Sequence, residues 1–259
     1  MPQVKSEAIL LRSVNWKENS RIDSFFTNNA GKVSIIDRGG RSMKSKRGRI
    51  TSFSRMEIAY FRSEKTGTGY VGEVDVLESF SLEKDGHLGR LTFTSAALEL
   101  LNDLLPESEP LEELYDLTVQ FMRHMNDDSR ESLLPVFLAY FLKTLSFLGY
   151  RPNFAGCVGC GKSSDDFINP GDYLFASERG GLVCASCQTM GEYYIKLQSD
   201  RLDILYNLQI SSLAEAAGFR VNMKMAEELL ELLTAFVRFQ TGMEKLKTLE
   251  FLDKLKKVQ

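Results

Sequence analysis

Cys157-Val158-Gly159-Cys160 and, after 23 intervening residues, Cys184-Ala185-Ser186-Cys187 hold all four cysteines of the chain. Two Cys-x-x-Cys pairs at that separation fit a tetrahedral four-thiolate zinc site. Each pair closes a tight turn that aims two sulfurs at one point, and thiolates bind Zn²⁺ at about 2.3 Å. Gly159 and Gly161 ease the first turn, and Gly180 and Gly181 precede the second. The competing readings are two local disulfides, a thioredoxin-type redox pair, and unrelated buried cysteines. A redox pair normally uses one Cys-x-x-Cys in a βαβ context, which this sequence lacks. The spacing therefore predicts one structural Zn²⁺ on Cys157, Cys160, Cys184 and Cys187, with no position left open for catalysis. No cysteine remains for disulfides, which points to a reducing compartment.

Helical periodicity flanks this segment on both sides. Upstream, Phe93 to Leu105 forms one apolar stripe, ended by Pro106, and Leu111 to Met125 forms a second. Ser132 to Leu148 is apolar on nearly all faces and reads as the central helix of a bundle, stopped by Gly149 and Pro152. Downstream, Ser199, Ser211 and Asn222 are candidate caps for three further helices, and Glu244 to Lys257 closes the chain. The first eighty residues read differently. Val4 to Val14, Ile22 to Phe26, Val33 to Ile36, Ile50 to Phe61 and Tyr70 to Phe80 are strand-like, with turns at Asn28 to Gly31 and Ser63 to Gly69. Five short strands suggest an OB-type barrel, with a plain antiparallel sheet under helices as the alternative. The domain reading is a barrel over 1–80, a helical domain over 81–151 and 191–259, and the four-cysteine insert over 152–190.

Net charge is −3, but its distribution is uneven. Residues 1–80 carry 14 Lys/Arg against 9 Asp/Glu, a balance of +5, and the remainder carries 18 against 26, a balance of −8. Much of the excess lies in Arg38-Gly-Gly-Arg41-Ser-Met-Lys44-Ser-Lys46-Arg47-Gly-Arg49 and on to Arg55, with seven basic residues and no acid. Its glycines and serines let backbone amides approach an anion, and irregularly spaced cations suit phosphates. A solvated strand connection is the bland reading. Self-repulsion among seven positive charges favours a polyanionic partner. Aromatics of the same region could stack bases; Trp16, and Tyr60 or Tyr70, are the candidates for exposure. Catalytic signals are thin. His87 and His124 read as surface or linker histidines, no glycine string has P-loop spacing, and no carboxylate cluster recurs at metal-binding spacing. No apolar run reaches the length of a membrane span, so a cytoplasmic protein without enzymatic turnover is expected.

The order of these features resembles the bacterial recombination mediator family RecO, in its zinc-bearing branch. Ala8-Ile9-Leu10-Leu11 with Glu18-Asn19-Ser20-Arg21 is similar to that family's opening strand and turn. Gly31-Lys32, then Asp37-Arg38-Gly39-Gly40-Arg41 with Lys44-Ser45, is similar to its glycine- and arginine-rich loop. Phe141-Leu142-Lys143 through Leu148-Gly149-Tyr150-Arg151-Pro152 into Cys157 is similar to its helix-to-zinc junction, the most specific element. The chain departs from the pattern at Asn19-Ser20, where an acidic residue is usual, and at Arg38-Gly39, where the family has Lys-Gly. The cysteines are absent from some members, which implies a zinc that supports the fold. The resemblance implies binding of single- and double-stranded DNA, annealing of complementary strands, and loading of RecA onto strands coated by single-stranded DNA-binding protein. It also implies RecR as a partner, RecF in some cases, contact with the tail of the single-stranded DNA-binding protein, and a place near the nucleoid. Arg38, Arg41, Lys44, Lys46, Arg47 and Arg49 become phosphate contacts on this view. Arg123, Lys143 and Arg151 are candidates for the tail. A zinc-ribbon adaptor that binds only proteins and an RNA-associated OB protein are the competing classes.

Overall fold

The structure, a computed structural model, describes residues 3–40, 50–62, 69–82, 88–127, 133–167 and 173–242, together with Lys247. Five strands come first: β1 (Gln3–Trp16), β2 (Ser20–Thr27), β3 (Gly31–Arg38), β4 (Ser54–Arg62) and β5 (Gly69–Ser79). They close into a barrel in the order β1-β2-β3-β5-β4, with β4 returning to pair with β1. Every pairing is antiparallel except β3 with β5. This closed order is the OB-type architecture that the strand count suggested, and closure removes the exposed edges an open sheet would keep.

Side-chain alternation fills the barrel. Leu10, Phe25, Ile35, Met56, Ile58 and Tyr60 are buried in one cluster. A bulge between Leu10 and Arg12 changes the parity of β1. Ala8 and Leu10 therefore point inward, whereas Arg12, Val14 and Trp16 beyond the bulge lie on the outer face.

The chain divides into two compact units, Met1–Arg130 with Phe251–Gln259, and Glu131–Glu250. The first unit adds α1 (Leu88–Leu104) and α2 (Glu112–Asn126) to the barrel. Phe26, on the outer side of β2, meets Tyr115 of α2 edge-on at 5.5 Å between ring centroids. Arg90 is buried in α1 and donates to the carbonyls of Met125 and Asp127 at the end of α2. Its positive charge there complements the carbonyl end of the helix dipole.

The second unit is built on α3 (Leu133–Phe147), buried without interruption from Pro135 to Leu142. Its end is a Schellman motif, in which Tyr150 N–H donates to the Leu145 carbonyl and Gly149 N–H to that of Ser146. A four-stranded sheet follows, made of β6 (Asn153–Cys157), β7 (Tyr173–Ala176), β8 (Gly181–Val183) and β9 (Ile195–Leu197) in the order β6-β8-β7-β9. Then come α4 (Ser199–Ile210), α5 (Leu213–Ala216) and α6 (Met223–Thr241). Asn222 caps α6 as expected, its side chain accepting from Met225 N–H. The cap of α5 is Ser212 rather than Ser211, in a reciprocal capping box with Glu215. Ser199 is itself the first residue of α4, after Gln198. The segment from Glu244 onward lies outside the described residues apart from Lys247.

Candidate metal centre and nucleic-acid interface

The four cysteines converge because of strand order. β6 ends at Cys157, and β8 ends one residue before Cys184. The two strands are parallel neighbours, so both Cys-x-x-Cys turns leave the same end of the sheet. The four sulfurs all lie within 4.8 Å of one another, and Cys160 Sγ is 3.7 Å from Cys184 Sγ. A disulfide needs about 2.05 Å, and the chain's cysteines are free. A tetrahedron of sulfurs about 2.3 Å from a zinc ion has edges of roughly 3.8 Å, so the set has the dimensions of a four-thiolate metal site.

Backbone donors favour thiolate at the buried corner. Burial pushes the Cys157 thiol up, but the N–H groups of Cys184, Gly159 and Cys160 outweigh it and hold the thiol at about 6. Gly159 N–H and Cys184 N–H each reach Cys157 Sγ at 3.3 Å. Cys187 moves the other way, to about 12, through its contacts with Cys184 and Cys160 and the crowding of like charge. Four thiolates need a cation between them, and the arrangement can hold a metal ion. Two glycines permit the geometry. A Cβ on Gly159 would sit 3.0 Å from Cys187 Sγ, and Gly161 adopts φ +75°.

Arg179, which the sequence reading missed, braces the second turn. It donates to the Cys187 carbonyl at 3.0 Å and lies 3.7 Å from Glu192. Gln240 of α6 donates to the carbonyls of Ser177 and Glu178, and Phe175 of β7 packs edge-on against Phe236 of α6 at 5.9 Å. The metal module is thereby fastened to the longest helix of its unit. Only the Gly180-Gly181 pair signalled a turn there, and nothing local marked Arg179.

On the barrel, Arg38 is the exposed last residue of β3, with its guanidinium 4.4 Å from the centre of the Tyr70 ring. Arg41, Lys44, Lys46, Arg47 and Arg49 lie outside the described residues. Arg55 does not belong with them as a free cation. It pairs with Glu7 at 2.9 Å and Glu78 at 3.4 Å, so the acid-free run of the sequence meets acids in space. Arg123 is also engaged, donating through Nε and Nη2 to the Glu78 carboxylate; this contact raises Arg123 and holds Glu78 below the usual carboxylate range.

Trp16 is 45% exposed, and Lys17 Nζ is 5.9 Å from its ring centre. Tyr60, the other aromatic candidate, is only 1% exposed; it points inward on β4 and is part of the core. Tyr70 is half-buried. His124 is buried within α2 rather than on the surface, and His87 lies outside the described residues. Beneath the start of the basic connection, Arg21 bridges the buried carboxylates of Asp23 at 2.9 Å and Asp37 at 3.3 Å. Burial raises Asp23 despite help from Ser13 and Arg21, and Asp37 adds to the rise.

A closed five-stranded barrel in the first unit, and in the second a small sheet whose β6 and β8 turns gather four cysteines, define a two-part protein with a metal-ready module. Residues 1–80 match the family model described as recombination protein O N terminal, and residues 86–250 match recombination protein O C terminal. The chain belongs to the RecO family. A DNA repair protein RecO of Symbiobacterium thermophilum is 31% identical over 252 residues, 96% of each chain. The DNA repair protein RecO of Anaeromyxobacter dehalogenans strain 2CP-C is 29% identical over 98% of each chain. That of Listeria monocytogenes is 26% identical over 98% of this chain and 95% of its own. Among the described residues no helix is long and apolar enough to cross a membrane.

Proposed function

We propose that this protein is a recombination mediator that binds single- and double-stranded DNA, anneals complementary strands, and helps load RecA with RecR onto strands coated by single-stranded DNA-binding protein. Full-length similarity to proteins named for DNA repair is the observation that carries this reading. The domain over 1–80 makes the DNA contacts, with Arg38, Arg41, Lys44, Lys46, Arg47 and Arg49 on phosphates. Annealing then requires no turnover chemistry, because neutralising two strands on one cationic surface lowers their repulsion and raises their local concentration. The helical domain over 81–151 and 191–259 serves partners. Of the cations suggested for the tail of the single-stranded DNA-binding protein, Arg123 is already paired with Glu78. Lys143 and Arg151 remain. Burial lowers the Lys143 ammonium, Glu215 offsets part of that and Arg151 adds to it. Lys143 Nζ donates to the Gln209 carbonyl at 3.4 Å, and exposed Phe147 lies one turn beyond Lys143. An acidic, apolar-ended peptide complements such a patch.

Cys157, Cys160, Cys184 and Cys187 hold one zinc, which closes the insert over 152–190 and leaves DNA binding to the barrel. The protein acts in the cytoplasm at the nucleoid, with RecF in some settings and RecA indirectly. The test is charge reversal at Arg41, Lys44 and Arg47. Affinity for single-stranded DNA should fall, and the slope of log affinity against log salt should flatten by roughly two, at about 0.7 per lost phosphate contact. Unchanged affinity in a folded triple variant would refute the site. Tighter binding to RNA than to DNA of the same sequence would instead favour an RNA-associated protein.

A further inference from the structure

We infer that Cys160 is an oxidation site, and that hydroperoxides join it to Cys184 in a disulfide that opens the metal centre. This rests on the zinc reading above and adds to it a reactivity that the four ligands do not share equally. Exposure separates them. Cys157 is 2% exposed and Cys184 7%, Cys187 is half-buried, and Cys160 is exposed. Gly159 to Ser163 is exposed throughout, and a Cβ on Gly161 would meet nothing within 4 Å, so solvent reaches the turn that carries Cys160. The other sulfurs are shielded or held in place. The N–H groups of Gly159 and Cys184 each reach Cys157 Sγ at 3.3 Å. Gly159 packs against Cys187, where an added Cβ would come within 3.0 Å of Sγ, and Arg179 holds the Cys187 carbonyl. Cys184 directly follows β8, and its carbonyl accepts from Cys187 N–H at 2.9 Å. An exposed sulfur on a glycine-flanked turn thus faces an anchored one, Cys184 Sγ, at 3.7 Å.

The chemistry follows from that asymmetry. Cysteines that bind zinc do so as thiolates, and an accessible thiolate is the nucleophile toward a peroxide. The Cys160 thiolate attacks one oxygen of hydrogen peroxide; the S–O bond forms, the O–O bond breaks, and hydroxide leaves. Sulfur has then given two electrons to the peroxide and stands as a sulfenic acid. The Cys184 thiolate attacks that sulfur next; the S–S bond forms, the S–O bond breaks, and a second hydroxide leaves. Both hydroxides take up protons and become water. Closing the pair from 3.7 Å to about 2.05 Å asks for a shift of about 1.7 Å. Cys160 supplies it, because its turn is flanked by Gly159 and Gly161 while Cys184 stays fixed to the sheet. Only Cys157 and Cys187 then remain as thiolates, too few for a structural site, and the metal is lost. A thiol reductant reverses the bridge by exchange.

The test uses the full chain, its zinc content first established by metal analysis. Hydrogen peroxide is added while a chromogenic chelator follows zinc release, and peptide mapping locates any disulfide. The zinc should leave as two thiols disappear, the bridge should join Cys160 to Cys184, and dithiothreitol with added zinc should restore the starting protein. Cys160→His keeps four ligands, since imidazole also binds Zn²⁺, but lacks the exposed sulfur. Its zinc release should be slower by roughly tenfold or more. No release from the wild type, equal rates for the two proteins, or a bridge within either Cys-x-x-Cys pair overturns the oxidation site and leaves the zinc site standing. Where Cys160→His fails to load zinc, the bridge mapped in the wild type decides. A wild-type chain that holds no zinc before peroxide is added refutes the metal reading instead.

Discussion

Replacing Cys160 by serine tests the metal centre most directly. Cys160 is the exposed corner of the cluster, so its removal perturbs coordination with little loss of packing. Structural zinc contributes about 10–16 kcal/mol in small zinc-binding peptides, or roughly 2.5–4 kcal/mol for each of four thiolates. The loss of one ligand should lower zinc affinity by a factor of about 10² to 10³. The structure then says where the effect is felt. β7 has four residues, and β8 and β9 have three each, too little sheet to stand without support. In native-state hydrogen exchange of Cys160→Ser, or of the wild type under chelator, the Cys157, Gly161 and Cys187 amides should lose protection. Their acceptors, the carbonyls of Lys162, Cys157 and Cys184, belong to the same two turns. Antiparallel β4–β5 amides of the barrel serve as the internal control. A variant that keeps one equivalent of zinc against chelator, with unaltered exchange in the two turns, would refute the assignment.

Three further substitutions probe the scaffold. Tyr115 Oη is buried without a hydrogen-bond partner, and burial drives its pKa upward, so Tyr115→Phe should keep the Phe26 contact and raise stability by about 1–2 kcal/mol in urea unfolding. Ser212→Ala removes the α5 cap and should cost about 1 kcal/mol. Ser212 N–H and hydroxyl hold the Glu215 carboxyl below its usual range, so this contribution is present above the unfolded pKa and fades as pH falls through the folded one. A flat difference between wild type and Glu215→Gln from pH 7 to pH 3 would exclude the carboxylate half of the box, which accepts from the Ser212 backbone N–H. Asp23 is displaced upward by burial, so the folded state keeps its proton longer than the unfolded chain and loses relative stability as pH rises through the folded pKa. Asp23→Asn should therefore gain on the wild type at pH 7, with the gap narrowing as pH falls through the raised folded pKa towards the ordinary carboxylate value in paired thermal melts; a gap that widens in acid would contradict this sign.

Local pattern made the barrel strands, the helices and the four ligands readable. Two Cys-x-x-Cys turns need only their own residues to be recognised. What stayed hidden depends on pairings between distant segments. β6 and β8 are parallel and separated by β7 in sequence, so no short window contains the sheet that brings Cys157 and Cys184 together. Tyr60 and Tyr70 looked alike in sequence, yet β4 alternation sends Tyr60 inward while the parallel β3–β5 contact sets Tyr70 beneath Arg38. Arg55 read as part of an acid-free run because its partners Glu7 and Glu78 are far along the chain.

The net charge of −3 also misleads until the fold assigns places to the charges. At the Gly31 end of β3, Lys32 is 3.4 Å from Glu107, and the Ser108 N–H donates to the Lys32 carbonyl. The α1–α2 connection, with Glu107 and Glu109, thus covers one end of the strand, and Glu112 and Glu113 open α2 directly after it. Arg38 stands at the other end, seven residues on, a distance of about 23 Å. The Debye length at physiological salt is about 8 Å, so the acidic end barely reduces the potential at the basic one. A polyanion approaching Arg38 meets the local cations, not the charge of the whole chain. At 0.01 M salt the screening length grows to about 30 Å, and the two ends act as a dipole that orients the strand before contact. Charge reversal at Glu112 and Glu113 should consequently speed DNA association only at low ionic strength, measurable by stopped flow. An equal change at physiological salt would mean that these acids adjoin the bound strand.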